Sequence, residues 1–106
     1  MSKVIFLIDN LGEVERAGAL NYIRALTDLS IVEIKARIMD KSPLAEFVID
    51  GENHANKVKV ILQWLSLAEQ KKLKLRIYEV NDEDDFLTMG DTSSYEIDKA
   101  TLLSFI

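Results

Sequence analysis

The sequence predicts an α+β fold: a two-layer β-α-α-β-α-β domain whose small three-stranded sheet carries helices on one face, followed by a C-terminal extension. Three observations predict it. Three short runs, 3–8, 44–50 and 73–80, are rich in β-branched, aromatic and other apolar residues. The stretches between them repeat apolar residues every three or four positions, the period of a helix face. The charge is unevenly divided: residues 1–80 are nearly balanced, whereas residues 81–106 hold one lysine against seven Asp and Glu in a chain of net charge −5. We therefore divide the chain into a domain, 1–80, and an acidic extension, 81–106, expected to pack on the domain or on a second copy of it.

Lys3–Ile8 reads as a central strand, because both of its alternating faces are apolar. Asp9-Asn10-Leu11-Gly12 has turn chemistry. Residues 13–28 read as one helix, with Val14, Ala17, Leu20 and Ile23 along a face and Glu13 and Glu15 in the first turn, where the helix dipole favours them. Ser30 and Glu33 have the spacing of a capping box and start a second helix, which buries Ile31, Ile34 and Ile38 and stops before Pro43. Residues 44–50 form a second strand, closed by Asp50-Gly51.

Residues 53–72 form the third helix, with a core stripe of Val58, Ile61, Leu62, Leu65 and Ala68. Asn56, Lys59, Gln63, Ser66 and Gln70 lie opposite. Val60, Trp64 and Leu67 fall between the stripes and are too apolar to face water without a partner, so they read either as a hydrophobic interface or as a surface covered by the tail. Residues 73–80 form a third strand, with Leu73, Leu75 and Ile77 inward and Lys74, Arg76 and Tyr78 outward. In the extension, Tyr95–Ile97 fits a strand and Asp98 fits the cap of a short helix. The tail is expected to lie on the third helix or on the outer sheet face of Ile5, Leu7, Val48 and Tyr78.

Composition narrows the function. A chain of 106 residues makes one small domain. Without cysteine there are no disulfides, no thiol catalysis and no thiolate metal sites. A single histidine, His54, argues against an all-protein zinc site, and we expect no cofactor. His54 itself reads as a polar residue opening the third helix or as a pH switch. The longest apolar run, Val4–Ile8, is too short for a membrane span or a signal-peptide core, so a cytoplasmic location away from membranes is expected. Nucleic acid is disfavoured, because no basic excess is present to displace counterions. With no Gly-rich phosphate loop, no nucleophile elbow and one histidine as base, the chain does not read as an enzyme.

One spacing pattern is more specific than the order of elements. Arg24, Thr27, Leu29, Ile31, Glu33 and Lys35 stand as Arg-x-x-Thr-x-Leu-x-Ile-x-Glu-x-Lys, with Pro43 shortly after. This resembles the C-terminal domain of the bacterial ribosomal stalk protein, in register from about Arg16 to Lys35 and loosely over residues 3–80. In that family the domain is a docking module that recruits translation factors through the face of its first two helices. The resemblance implies that Arg16, Leu20, Arg24, Glu33 and Lys35 lie on such a face. Asn21 stands where the family usually has lysine, and Ala25, Asp28 and Ser30 stand where it has glycines. The order of elements is also similar, more weakly, to the adaptor that delivers N-degron substrates to the Clp protease, whose Asn-Asp-Asp cluster is matched here in part by Asp9-Asn10.

Two functional readings follow. One is a non-catalytic docking or adaptor module that binds a partner protein through the face of helices one and two (Arg16, Leu20, Arg24, Glu33, Lys35), as a monomer or homodimer. The other is a small acidic inhibitor or immunity-type protein that neutralises a basic partner, such as a nuclease toxin, through Asp82, Glu83, Asp84 and Asp85; opposite charge steers such partners together.

Overall fold

The computed structural model describes residues 2–49, 54–104 and 106. The turn expected at Asp50-Gly51, the first residue expected of the third helix and Phe105 lie outside the described residues. The elements are β1 (Ser2–Leu7), α1 (Leu11–Arg16), α2 (Leu20–Thr27), α3 (Ile31–Asp40), β2 (Ala45–Val48), α4 (His54–Lys71), β3 (Arg76–Asn81), β4 (Glu96–Ile97) and α5 (Lys99–Leu103). Two 3₁₀ turns, Phe86–Thr88 and Ser93–Tyr95, separate β3 from β4. The fold is α+β with a fully antiparallel sheet in the order β2-β1-β3-β4.

The expected sheet of three strands has a fourth. Glu96 and Ile97 pair with Tyr78 and Ile77, giving partners to an edge of β3 that would otherwise be bare. Asp98 then caps α5 by accepting from the Thr101 amide at 2.7 Å. The strand and the capped helix, two readings of the same stretch, are both present.

β1 is buried on both faces. Val4, Phe6 and Ile8 join the helix-side core, where Phe6 meets Trp64 and Phe47 edge-on with ring centroids 5.7 and 5.5 Å apart. Each helix adds to that cluster: Val14, Ile23, Ile34, Ile38, Ile61 and Leu102 are at or near zero exposure. Ile5 and Leu7 point the other way and form a second cluster with Tyr78, Val80 and Phe86, with Met89 against it. Tyr78, expected to face outward from a half-exposed strand, is therefore buried. The segment after β3 folds back over it, and Phe86 lies 4.9 Å from its ring. The extension thus covers the outer sheet face with Phe86 and enters the helix-side core with Leu102.

Two helices differ from expectation. The single helix expected over 13–28 is two helices. Gly18 adopts φ +66°, its amide bonds Glu15 O, and the Ala19 amide bonds Val14 O. This is a Schellman termination, which needs a left-handed residue and suits glycine. Apolar spacing continues across the break and so conceals it. In α4 the buried residues are Ile61, Trp64, Leu65 and Leu67, while Leu62 is 46% exposed. The helix is turned so that Trp64, the largest side chain, meets Phe6. Val60, Trp64 and Leu67 are accordingly part of the core or packed against it. Phe6 of the sheet lies against Trp64, and Leu102 of the tail belongs to the same cluster.

α2, α3 and α4 end on left-handed residues that are not glycine: Asp28 (φ 59°), Lys41 (φ 56°) and Lys72 (φ 55°). Lys41→Gly should raise stability, by up to about 1 kcal/mol, because it relieves the left-handed strain of a residue with a Cβ. Leu102→Ala should cost about 2–5 kcal/mol, as a fully buried leucine does. Urea unfolding of the two variants measures both effects.

Candidate functional site

The residues of the stalk-like pattern fall on three helices. Arg16 ends α1 and is exposed, with its guanidinium over Gly12: a Cβ there would lie 3.2 Å from Arg16 Nη1. Leu20 opens α2 and is half-buried against the core, which leaves little of it for a partner. Arg24 is exposed on α2. Glu33 serves the N-terminus of α3: its amide donates to Ser30 Oγ at 3.1 Å, and its carboxylate lies 3.5 Å from the same oxygen. Lys35 Nζ lies 3.7 Å from Glu15 Oε2, tying α3 to α1. The structure brings Lys35 beside α1 and packs α2 against α3.

α2 has two exposed borders. Tyr22 faces α4, with Lys71 Nζ 5.0 Å from its ring centroid. Two positions on, just over half a turn around the helix, Arg24 faces away from α4. Asp28, the left-handed residue that ends α2, donates its backbone amide to Arg24 O.

The strongest surface feature is one that sequence reasoning passed over. Val32 is 77% exposed and Met39 71% exposed, seven residues apart on α3, with exposed Ala36 between them. Positions 32, 35, 36 and 39 are related by three- and four-residue steps, so Val32, Ala36 and Met39 form an apolar stripe beside Lys35. The signal was available. Once Ile31, Ile34 and Ile38 are assigned to the core, Val32 and Met39 are left on the solvent side.

Asp9 and Asn10, the partial match to the amine-holding cluster, both have structural partners. Asp9 Oδ2 lies 3.4 Å from Arg76 Nε, an electrostatic approach, since the Nε–H is not aligned to donate. Asn10 caps α1 by accepting from the Glu13 amide at 3.1 Å. Glu13 in turn accepts from the Lys74 amide at 2.8 Å. His54 Nδ1 lies 3.0 Å from Ile49 O, an exposed contact at the start of α4.

The acidic extension is shaped by its own side chains. Asn81, Asp85, Asp91 and Asp98 each accept a backbone amide two or three residues ahead. Such local acceptors bend the chain into turns and caps. Asp85 is therefore both a charge and the cap of a 3₁₀ turn, leaving Asp82, Glu83 and Asp84 as the carboxylates of the loop without a side-chain hydrogen bond among the described residues. In these residues no three His, Asp or Glu side chains converge as metal ligands, and no helix is long and apolar enough to cross a membrane. Compared with known proteins, the chain matches no family model, no curated protein and no solved structure.

The Thr101 hydroxyl and amide hold the Asp98 carboxyl below its ordinary pKa of 3.8. The unfolded chain binds that proton more readily, so this cap stabilises α5 fully above pH 3.8 and is lost as pH falls through the lower folded value. Protection of the Thr101 amide from hydrogen exchange should hold at neutral pH and fall only below that value, and an NMR-detected acid titration will show it.

Proposed function

We propose that this protein is a non-catalytic docking module of the cytoplasm that binds a partner protein through the outward surface of α2 and α3. The observation that carries this reading is the exposed stripe of Val32, Ala36 and Met39. Large apolar side chains aligned on one helix face favour a protein partner once water is displaced from them. Arg24 supplies a cation, and Lys35 a second one shared with Glu15, for a partner that presents carboxylates around an apolar segment. The resemblance to the stalk-protein domain, in which the corresponding helices recruit factors, supports the same surface.

Size constrains the contact. A ten-residue helix is about 15 Å long, and a standard interface buries about 800 Å² per partner. The stripe alone is too small, so the partner must extend onto α2, which brings Arg24 into reach. The acidic-inhibitor reading draws on a separate feature, the carboxylates Asp82, Glu83, Asp84 and Asp85 of the loop after β3.

A photo-crosslinking residue at position 32 or 39 should capture one protein reproducibly from native lysate. The same residue at position 70, on α4, should not capture it. Arg24→Glu/Lys35→Glu should reduce capture at least about tenfold, equivalent to roughly 1.4 kcal/mol of binding. Equal capture from position 70, or capture indifferent to the charge reversal, would count against the α2–α3 surface.

A further inference from the structure

We infer that the open edge of β2 is a second binding site, which takes an extended protein segment of alternating basic and apolar residues by strand addition. β2 ends the sheet, and no strand among the described residues lies beyond it. Its ladder to β1 fixes which backbone groups are free. The Ile49 amide donates to Ser2 O at 3.1 Å, and Val48, Phe47, Glu46 and Ala45 are paired in register with Lys3, Val4, Ile5 and Phe6. Alternation then turns the amides and carbonyls of Glu46 and Val48 toward the edge.

The Ala45–Glu46 half of this edge lies in a cleft with two walls. A cavity of about 480 Å³ runs along Ala45 and Glu46, with Leu29 and Arg37 from the helix layer on one side and Asp85 and Leu87 from the loop over the outer sheet face on the other. Leu87 is 64% exposed. Arg37 is engaged, donating to Pro43 O at 3.1 Å. Free backbone groups flanked by side-chain walls are the two requirements of strand addition, the first for affinity and the second for specificity.

The charge of the outer wall selects the occupant. Asp85 lines it, Glu46 points to the same sheet face, and Asp82, Glu83 and Asp84 precede Asp85 in the loop. Glu46 is shared with Lys3, whose Nζ lies 3.5 Å from its carboxylate. Successive side chains of an added strand point to opposite layers. Those on the outer side meet carboxylates and favour Lys or Arg, while those on the inner side meet Leu29 and the Arg37 guanidinium, which favour apolar residues over a second cation. This site does not depend on the α3 stripe and stands or falls separately from it.

The probe is a fluorescein-labelled Arg-Val-Arg-Val-Arg-Val peptide, with Glu-Val-Glu-Val-Glu-Val as its charge-reversed counterpart. Binding is followed by fluorescence anisotropy and by amide hydrogen exchange of the full chain. The basic peptide is expected to bind, to slow exchange at Glu46 and Val48 at least tenfold, and to weaken as salt rises, while the acidic peptide does not bind. Val48→Pro removes only an amide that faces the edge, and it should abolish binding while leaving the melting transition close to that of the parent. Asp85→Asn keeps the cap acceptor but loses the charge, and should weaken the basic peptide several-fold. Absent protection at Glu46 and Val48, full binding to Val48→Pro, or equal binding of the two peptides would each overturn the proposal. A Val48→Pro chain that fails to fold leaves the exchange pattern and the Asp85→Asn comparison to decide.

Discussion

The structure depends on one constraint: β1 is an apolar strand with no face to give to water. Val4, Ile5 and Phe6, three consecutive residues, are fully buried. Because successive side chains alternate between faces, such a strand needs a cover on each side. The helix layer provides one, with Trp64 of α4 against Phe6, and Phe47 of the neighbouring β2 packs beside it on the same face. The 3₁₀ turn carrying Phe86 provides the other, against Tyr78. Burying a side chain of this kind contributes about 1.5–3 kcal/mol, a large share of the marginal stability of a small domain. The acidic segment is held by this need for cover, and its chain reversal delivers β4 to the bare side of β3.

Much of this was legible in the sequence. The Ser30–Glu33 capping box, the stop before Pro43, the central place of β1 and the cap at Asp98 rest on local chemistry, which a sequence displays directly. The break at Gly18 was hidden because Val14, Ala17, Leu20 and Ile23 keep helical spacing through it. The rotation of α4 was hidden for another reason. A helical wheel weighs Leu62 and Trp64 by their apolar character, whereas packing selects by volume, and the indole fills the space over Phe6. Tyr78 was misplaced because its cover, Phe86, comes from a segment whose composition reads as solvated. At the candidate site, Arg24 and Lys35 were found as charges, while the stripe beside Lys35 emerged only once the buried face of α3 was fixed.

The two proposed surfaces divide along the two layers. The α2–α3 face is apolar with cations beside it, and the β2 edge is walled on its outer side by carboxylates. α3 reaches both: Lys35 and Met39 lie on its outward face, and Arg37 lines the cleft at β2. On these two proposals the surfaces would take partners of opposite charge. The acidity of the chain is concentrated in residues 81–106, and the same segment supplies the structural cover of the outer sheet face through Phe86.

Native-state hydrogen exchange across a low-denaturant series tests the dependence of the fold on its acidic segment most directly. If β1 requires both covers, the amides of Ile5 and Tyr78 and the β3–β4 pair at Ile97 will open together, with one free energy and one denaturant slope. A contradictory result would be a segment 82–104 that opens at much lower free energy while the amides of β1 keep their full protection. The sheet would then stand on its helix layer alone.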